Sequence, residues 1–367
     1  MWRSSVSGTL FTLGGTPKHM MLHTLNRRLG TKFGKEGNQM QTIAVFNTRG
    51  GSGKSAVTVF LADVLATAFE KRVLVVDLDP QQSSSVALLG EDHLYSAFGQ
   101  NRSLPRLLLR ADREELHPNA VLYHVIDRPQ PKARKGTLYL APVHVLSCER
   151  EEWNDVDQSL SELPAPKRET SLTLLRKLLD LVQGDFDVCL IDFPGHETGP
   201  ITKSGLRAAD WWLFPCVPDR AGIRDLERPV ATIKDAYVGS ERQIRGLGTL
   251  LSICQPATSF EYKQAYQTLA IAADKGIIPR LFSDKSKLLT WTGARNALDD
   301  TLWGDTTTLA QKYKEKPFYN SVHSLCHETL NRMAMSDGEV DLNFSLLDGL
   351  NSFLRKVFIR AKAKSMA

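Results

Sequence analysis

A glycine-rich loop between an apolar segment and an amphipathic one restricts the possible fold more than any other feature of this sequence. The loop is Asn47–Ser55, with the sequence NTRGGSGKS; an apolar run, Thr42–Phe46, precedes it, and Lys54–Phe69 follows it. Helical spacing in that third segment places one apolar face at Val57, Leu61, Val64, Leu65 and Ala68. Strand, glycine loop and helix in this order predict a phosphate-binding corner of an α/β protein.

The residue types in this phosphate loop (Asn47–Ser55) suit a nucleotide. Three glycines let the backbone curl closely around a phosphate chain, and the following helix N-terminus adds a partial positive charge. Lys54 supplies a positive charge to the phosphates, and the Ser55 hydroxyl can coordinate Mg²⁺. The usual GxxxxGK[ST] pattern has glycine where this chain has Thr48, so the ordinary Walker A motif is broken. A glycine-rich turn with an incidental Lys-Ser pair would explain neither the strand nor the helix beside it.

The rest of the chain alternates between apolar runs and helical patterns. Predicted strands are Val73–Asp77, Leu138–Pro142, Asp187–Asp192, Trp211–Val217 and Gly248–Cys254. Predicted helices are Ser171–Val182, Gly222–Ile233 and Ser259–Ala272. A polar, less regular stretch follows the second strand, and its segment Arg128–Gly136, rich in proline and basic residues, is expected to be a surface loop. This alternation predicts an α/β fold with a mostly parallel sheet and helices on both faces.

Three acidic residues stand at the ends of predicted strands. Asp77 and Asp79 end the second strand, and Asp192 ends the strand that begins at Asp187. Carboxyl ends of parallel strands share one edge of the sheet, so all three can face the phosphate loop. Single acids at strand ends are often solvated turn residues, but three beside a phosphate loop indicate a metal and nucleotide site.

Charge is concentrated at the two ends of the chain, whose net charge is +5. Residues 1–40 carry six Lys/Arg and one acid, and residues 351–367 carry five Lys/Arg and no acid. We expect a basic, disordered leader (1–40), a central domain (41–333), and an acidic linker with a basic amphipathic C-terminal helix (334–367). Any contact with a polyanion is therefore expected to be local. The five cysteines include no CxxC pair, which argues against a zinc cluster or disulfide framework.

These motifs together resemble the ParA/MinD family of deviant Walker A ATPases. The segment Arg49–Ser55 stands in place of the family's KGGxGK[ST]. Val73–Gln81 (VLVVDLDPQ) is similar to the family's Walker A′ motif, and Phe186–Gly195 (FDVCLIDFPG) to its Walker B and switch II. Two further segments resemble the ParA branch of the family more loosely: Ala209-Asp210, and a predicted final core helix at Phe318–Leu330. The resemblance covers residues 42–333 and implies a P-loop NTPase fold of the deviant Walker A type.

The resemblance also implies roles for individual residues, with ATP and Mg²⁺ as cofactors. Nucleotide contacts would come from Arg49, Gly50, Gly51, Ser52, Gly53, Lys54, Ser55 and Ala56. Mg²⁺ would be held by Ser55, Asp77 and Asp192, and Asp79 would polarise the attacking water. The family's signature lysine reaches the phosphates bound to a partner subunit, and this chain has Arg49 there. Arginine keeps the charge and adds a planar fork, so Arg49 either acts as an arginine finger in trans or has lost the role.

Three classes of function follow from the resemblance. The preferred one is a cytoplasmic, nucleoid-associated ParA-like ATPase that dimerises on ATP, binds DNA nonspecifically, and positions plasmid, chromosome or protein cargo. It would hydrolyse ATP slowly and be stimulated by an adaptor protein. The second is a MinD-like ATPase that cycles on a membrane, and the third is a metabolic enzyme, such as a reductase or amide-forming synthetase. A reductase would need paired cluster cysteines.

The predicted C-terminal amphipathic helix (343–363) distinguishes the first two classes. Its apolar residues are Leu346, Leu347, Leu350, Phe353, Leu354, Val357 and Phe358, with basic residues on or beside the polar face. Such a helix can pack on the core or self-assemble, bind nucleic acid, or lie on an anionic membrane. We rank the three in that order. Phe353–Phe358 is similar to the membrane-targeting tip of MinD proteins.

Overall fold

A single twisted sheet organises the chain. The computed structural model describes residues 39–128, 143–195, 199–254, 260–289, 317–335 and 342. Its strands are β1 (Gln41–Val45), β2 (Val73–Asp77), β3 (Ile126–Asp127), β4 (Val143–Ser147), β5 (Val188–Asp192), β6 (Trp211–Cys216), β7 (Arg245–Cys254) and β8 (Leu288–Leu289). Within the described residues they form an 8-stranded sheet in the order β3-β4-β2-β5-β1-β6-β7-β8. Neighbours are parallel except β3, which runs antiparallel to β4.

Helices cover both faces of the sheet. Those before β5 are α1 (Lys54–Ala68), α2 (Ser83–Leu89), α3 (Glu91–Gly99), α4 (Leu104–Arg113), α5 (Pro118–His124), α6 (Arg150–Ser161), α7 (Ala165–Ser171) and α8 (Leu174–Leu181). Those after it are α9 (Pro200–Ala208), α10 (Arg220–Arg224), α11 (Glu227–Ala236), α12 (Phe260–Asp274) and α13 (Pro317–Ala334). None of these helices is long and apolar enough to cross a membrane.

Two hydrophobic cores lie on opposite faces of the sheet. Alternate residues of β2 belong to different cores, Val73 and Val75 to one, Leu74 and Val76 to the other. A strand buried on both faces needs a continuous apolar run, which is what the β2 sequence provides. The first core contains α1 and α13, whose rings Phe60 and Phe318 meet edge to face at 4.9 Å. The predicted α/β fold, with a mostly parallel sheet covered on both faces, is confirmed.

Several element boundaries differ from the prediction. The predicted helix Ser171–Val182 is interrupted by a turn at Leu172 and Thr173: Ser171 is the last residue of α7, and α8 begins at Leu174. The predicted helix Gly222–Ile233 likewise divides into α10 and α11. The irregular stretch after β2 contains the four short helices α2 to α5, which the sequence analysis missed.

Some predictions fall outside the described residues. These include the leader apart from Gln39 and Met40, the strand Leu138–Pro142, nearly all of the loop Arg128–Gly136, and the C-terminal helix 343–363. The division into 1–40, 41–333 and 334–367 stays a prediction. What the fold does establish is that β1, β5 and β2 are neighbours, so the segments that follow them lie at one edge of the sheet.

Candidate functional site: the phosphate loop and its acids

The phosphate loop has a defined shape that depends on glycine. Gly51 and Gly53 have φ angles of 70° and 87°, a left-handed conformation in which other residues are strained. Gly53 directly precedes α1, whose first residue is Lys54. Above the loop, the Ser252 hydroxyl of β7 donates to the Ser52 carbonyl at 2.7 Å. The loop is therefore preformed at the N-terminus of α1, where helix N–H groups favour an anion.

Lys54 is folded back over this loop. Its Nζ donates to the Arg49 carbonyl at 3.2 Å, and the residue is 6% exposed. Burial lowers the pKa of Lys54, while the charges of Asp192 and Asp79 act to raise it. All eight residues predicted to contact nucleotide lie on the loop or the first turn of α1: Arg49, Gly50, Gly51, Ser52, Gly53, Lys54, Ser55 and Ala56.

Asp77 and Asp192 form a buried acidic pair facing the loop. They are partners in the parallel register of β2 and β5, and both are fully buried. Burial raises the pKa of Asp77 to about 6, although hydrogen bonds from Ser85 oppose the shift. Burial and the charge of Asp77 raise the pKa of Asp192 to about 8. The Ser55 hydroxyl and the positive charge of Lys54 act in the opposite direction and lower this pKa. Two carboxyl groups this close resist ionising together unless a cation compensates them.

Hydrogen bonds hold the first of these carboxylates in place. Asp77 Oδ2 accepts from the Ser85 amide at 2.9 Å and from the Ser85 hydroxyl at 2.6 Å. Its other oxygen accepts from the Asp79 amide at 3.0 Å. Asp192 differs: Oδ1 accepts from the Phe193 amide at 3.1 Å, but Oδ2 is buried and has no hydrogen-bond partner among the described residues. An unpaired buried carboxylate oxygen beside a second carboxylate fits a divalent cation.

Asp79 lies on a short loop after β2, which we call the Asp79 loop (Asp79–Gln82). Asp79 Oδ1 accepts from the Gln81 amide at 2.8 Å, and its carbonyl accepts from the Gln82 amide at 2.8 Å. The residue is only partly buried. Asp79 is therefore fixed by its own loop while remaining partly exposed.

Phe193, directly after Asp192, is buried under the same edge of the sheet. Its ring meets Phe46 edge to face at 5.2 Å. Gly205 of α9 makes room for it: a Cβ added there would lie 2.8 Å from Phe193 Cε1 and would overlap Leu78 Cδ1. The next glycine of the segment, Gly195, approaches the phosphate loop so closely that an added Cβ would lie 3.1 Å from Gly50 Cα.

Arg49 is paired within its own chain. Its guanidinium donates to both oxygens of Asp219, at 2.7 and 3.0 Å. Asp219 also caps α10 by accepting from the Gly222 amide at 2.6 Å. Burial acts to raise the pKa of Asp219, but the hydrogen bonds from Arg49 and Gly222 outweigh it and lower the pKa. The hydrogen bond to Asp219 in turn raises the pKa of Arg49.

Three polar residues of this site were missed in the sequence analysis: Asp219, Ser85 and Ser252. Asp219 follows β6 closely, so the rule that found Asp77 and Asp192 also applied to it. Ser85 and Ser252 carried no such signal, because a single serine within a helix or strand is an ordinary residue.

Comparison with known proteins defines the family. Residues 40–245, more than half of the chain, match a family model described as an AAA domain. The virulence plasmid ParA family protein pGP5-D of Chlamydia psittaci is 24% identical over 273 residues, which cover 71% of this chain and 91% of that protein.

Solved structures share the fold. An ATP complex of a substituted form of Cyanothece McdA has a TM-score of 0.58 at 18% identity, covering 80% of this chain and 98% of that one. The pNOB8 ParA structure bound to nonspecific DNA has a TM-score of 0.55 at 20% identity, covering 80% and 99%. Family match, relative and fold agree with the motifs at the strand ends: the chain belongs to the ParA/MinD family of P-loop ATPases.

Proposed function

We propose that this protein is a ParA-like ATPase that binds ATP with Mg²⁺ at the phosphate loop and hydrolyses it slowly to reset a dimer. The observation that carries the proposal is the placement of a buried lysine and two buried, in-register carboxylates around a preformed anion-binding loop. In this combination, the lysine and the helix N-terminus neutralise the negative charge of a phosphate chain, and the two carboxylates neutralise the positive charge of a bound cation.

Each residue has a part in nucleotide binding. The amides of Gly50 to Ala56 bind the phosphates, and Lys54 supplies their main positive charge. Mg²⁺ is held by the Ser55 hydroxyl and by Asp77 and Asp192, of which Asp192 has the unpaired oxygen. When bound, the metal neutralises negative charge on the phosphate oxygens. Asp77 is kept in place for this by Ser85.

Hydrolysis depends on Asp79. Its carboxylate is held by the Asp79 loop at the edge of the site and accepts a hydrogen bond from the attacking water, which it orients. The partly exposed carboxylate supports this role, because bulk water can reach it more easily than it can reach the fully buried Asp77 and Asp192. We also propose that turnover is slow and that an adaptor protein stimulates the reaction, as the resemblance to the ParA branch implies.

The proposed cycle joins ATP to dimerisation and DNA. Two subunits associate face to face around two ATP molecules, with Arg49 reaching the phosphates bound to the partner. The dimer binds DNA nonspecifically, and hydrolysis releases it. A plasmid ParA family relative and a ParA structure bound to nonspecific DNA support this assignment. The protein would act in the cytoplasm, on the nucleoid.

Substitution of Lys54 by alanine tests the proposal. ATP turnover by the purified Lys54→Ala variant should be abolished and ATP binding weakened, because the phosphates lose their main positive charge. Thr67→Ala, at the far end of the same helix, should leave both unchanged. Equal turnover in the Lys54→Ala variant and the wild type would refute the assignment.

DNA binding provides the test of the ParA-like cycle. It should require ATP and fall steeply with salt, since it rests on phosphate contacts from Lys and Arg. Binding that is equal with ADP and ATP contradicts a ParA-like switch. Flotation with anionic liposomes that is lost on deletion of 343–367 would instead favour the MinD-like alternative.

A further inference from the structure

Helix α6 contacts two separate segments of the site. Its first residue, Arg150, lies against the Asp79 loop, and Asp157 lies against the start of α9, the first helix after Asp192. The two residues are seven positions apart, which is two helical turns, so they lie on one side of the helix. One rigid element therefore touches both the water-orienting loop and the segment that follows the buried acids.

At its N-terminal end, α6 holds the Asp79 loop through a charged side chain. Arg150 Nε donates to the Pro80 carbonyl at 3.0 Å, and Nη2 donates to Gln81 Oε1 at 2.7 Å. Two residues before Arg150, the Cys148 carbonyl accepts from Gln82 Nε2 at 2.6 Å. Gln82 has a φ of 58°, a left-handed conformation that costs free energy in a residue other than glycine. The junction of β4 and α6 thus clamps the loop at three consecutive residues.

Farther along the helix, α6 holds the start of α9. Asp157 Oδ1 accepts from the Ile201 amide at 2.9 Å, which pairs one of the free N–H groups of that helix. The contact is close, since a Cβ added to Gly199 would overlap the Asp157 carboxylate. Gly205 of the same α9 supports Phe193, the residue next to Asp192. A shift of α9 would therefore alter its contacts with both Asp157 and Phe193.

The helix between these two contacts is firmly fixed. Trp153, Val156 and Leu160 are buried in one hydrophobic core, and the helix packs against α4, α7 and α9. Glu152 accepts from the Ser103 hydroxyl at 2.6 Å and also pairs with Arg106 of α4. Close packing of this kind has low compressibility and transmits strain, so a displacement at one end of α6 is expected to reach the other end.

We propose that α6 is a brace that couples the Asp79 loop to α9, with Arg150 a positioning residue for Asp79. The inference rests on the proposed function for the role of Asp79. Arg150 acts by fixing the Pro80 carbonyl and the Gln81 side chain, which holds the loop whose amides bond to Asp79. Through its hydrogen bond with the Ile201 amide, Asp157 links the position of α9 to that of α6.

The first test removes the clamp. Arg150→Ala should lower kcat about tenfold with little change in KM, because a misplaced water-orienting carboxylate slows the chemical step and leaves the phosphate loop intact. Arg150→Lys keeps the charge and one donor group, so its kcat should lie between that of Arg150→Ala and that of the wild type. Arg168→Ala is the matched control: Arg168 is an exposed arginine of α7 that donates to a backbone carbonyl, that of Leu163, at 2.9 Å.

Amide hydrogen exchange tests the brace without requiring turnover. The amides of Gln81 and Gln82, which bond to Asp79, should exchange several-fold faster in Arg150→Ala. Asp157→Ala should speed exchange at the same two amides, although it lies at the other contact of α6. Unchanged exchange at these amides in either variant overturns the brace.

A double-mutant cycle then measures the coupling. If α6 transmits position, kcat of Arg150→Ala/Asp157→Ala should fall by less than the product of the two single effects. Purely multiplicative effects would show two independent contacts and refute the coupling. A wild-type protein that does not hydrolyse ATP contradicts the proposed function, whereas active wild type with unaltered Arg150→Ala kinetics contradicts the brace alone.

Discussion

Arg49 of the phosphate loop and Asp219 at the start of α10 form a bidentate ion pair, with N–O distances of 2.7 and 3.0 Å. The residues are 170 positions apart in sequence. Gly222 leaves the space for this geometry, since an added Cβ would lie 3.0 Å from Arg49 Nη1. In a single subunit the guanidinium is therefore engaged by its own chain. To reach the phosphates bound to a partner subunit, the Arg49 side chain must break its hydrogen bonds with Asp219.

Asp219→Asn should strengthen ATP-dependent dimerisation. Asparagine keeps the cap on α10 but removes the charge that competes for Arg49. The side chains of Arg49 and Asp219 are 24% and 41% exposed, so each pair contributes at most about 1 kcal/mol. Because one pair opens in each of the two subunits, the dimer dissociation constant should fall by up to about thirtyfold. Sedimentation over a concentration series with ATP and Mg²⁺ measures this. Asp284→Asn, which removes the charge of an exposed aspartate that pairs with Lys287 instead of Arg49, is the control.

Arg49→Ala should lose dimerisation and hydrolysis together while the monomer still binds ATP. Arg49→Lys should restore much of both, because lysine also places a positive charge on the partner's phosphates. Comparison with Asp219→Asn separates two roles of the arginine. If Arg49 served only the intrachain pair, the Arg49→Ala and Asp219→Asn variants would behave alike. Wild-type hydrolysis by Arg49→Ala would eliminate the trans role.

Asp79→Asn should bind ATP normally and accumulate as a dimer, because the water is no longer oriented. The asparagine Oδ1 still accepts from the Gln81 amide, so the loop keeps its shape and the loss is chemical. Size-exclusion chromatography with ATP and Mg²⁺, paired with phosphate release, gives both readouts. A variant that stays monomeric where the wild type dimerises is inconsistent with the role assigned to Asp79.

Gly205→Ala should destabilise the protein by about 1–3 kcal/mol, because the new methyl group overlaps Phe193 and Leu78. Alanine would otherwise favour a helix by up to about 1 kcal/mol. Gly99→Ala, at a helical glycine with nothing within 4 Å of the added Cβ, is the matched control and should be neutral or stabilising. Combining Gly205→Ala with Phe193→Leu should cost less than the sum of the single changes in urea unfolding. Additive costs would mean that the two positions do not interact.

The central strands and the acids at their carboxyl ends were predictable from sequence. Strands β1, β2, β5 and β6 lie within about one residue of their predicted bounds, because a strand buried on both faces must be a continuous apolar run. Placement of Asp77 and Asp192 followed from the parallel sheet. Their in-register pairing adds what sequence alone could not give: two carboxyl groups opposite one another and fully buried.

The remaining features depend on contacts between distant parts of the chain. Helices α2 to α5 are short and lack a regular apolar period, so local patterning did not reveal them. The Arg49–Asp219 pair joins two loops that only the strand order brings together, and no local pattern indicates which acid an arginine will choose. Arg150 lies on the surface, where a basic residue at the start of a helix is unremarkable without its contact to Pro80.

The bond from Ser252 to the Ser52 carbonyl has a consequence for the smallest unit that can function. The family match ends at residue 245, but Ser252 lies beyond it, as does Phe318, which packs on Phe60 of α1. A fragment cut at the end of the match would keep every motif residue and yet leave a phosphate-loop carbonyl and one face of α1 uncovered. The nucleotide site is thus assembled by more of the chain than its motifs occupy, and truncation should be planned from contacts rather than from motif limits.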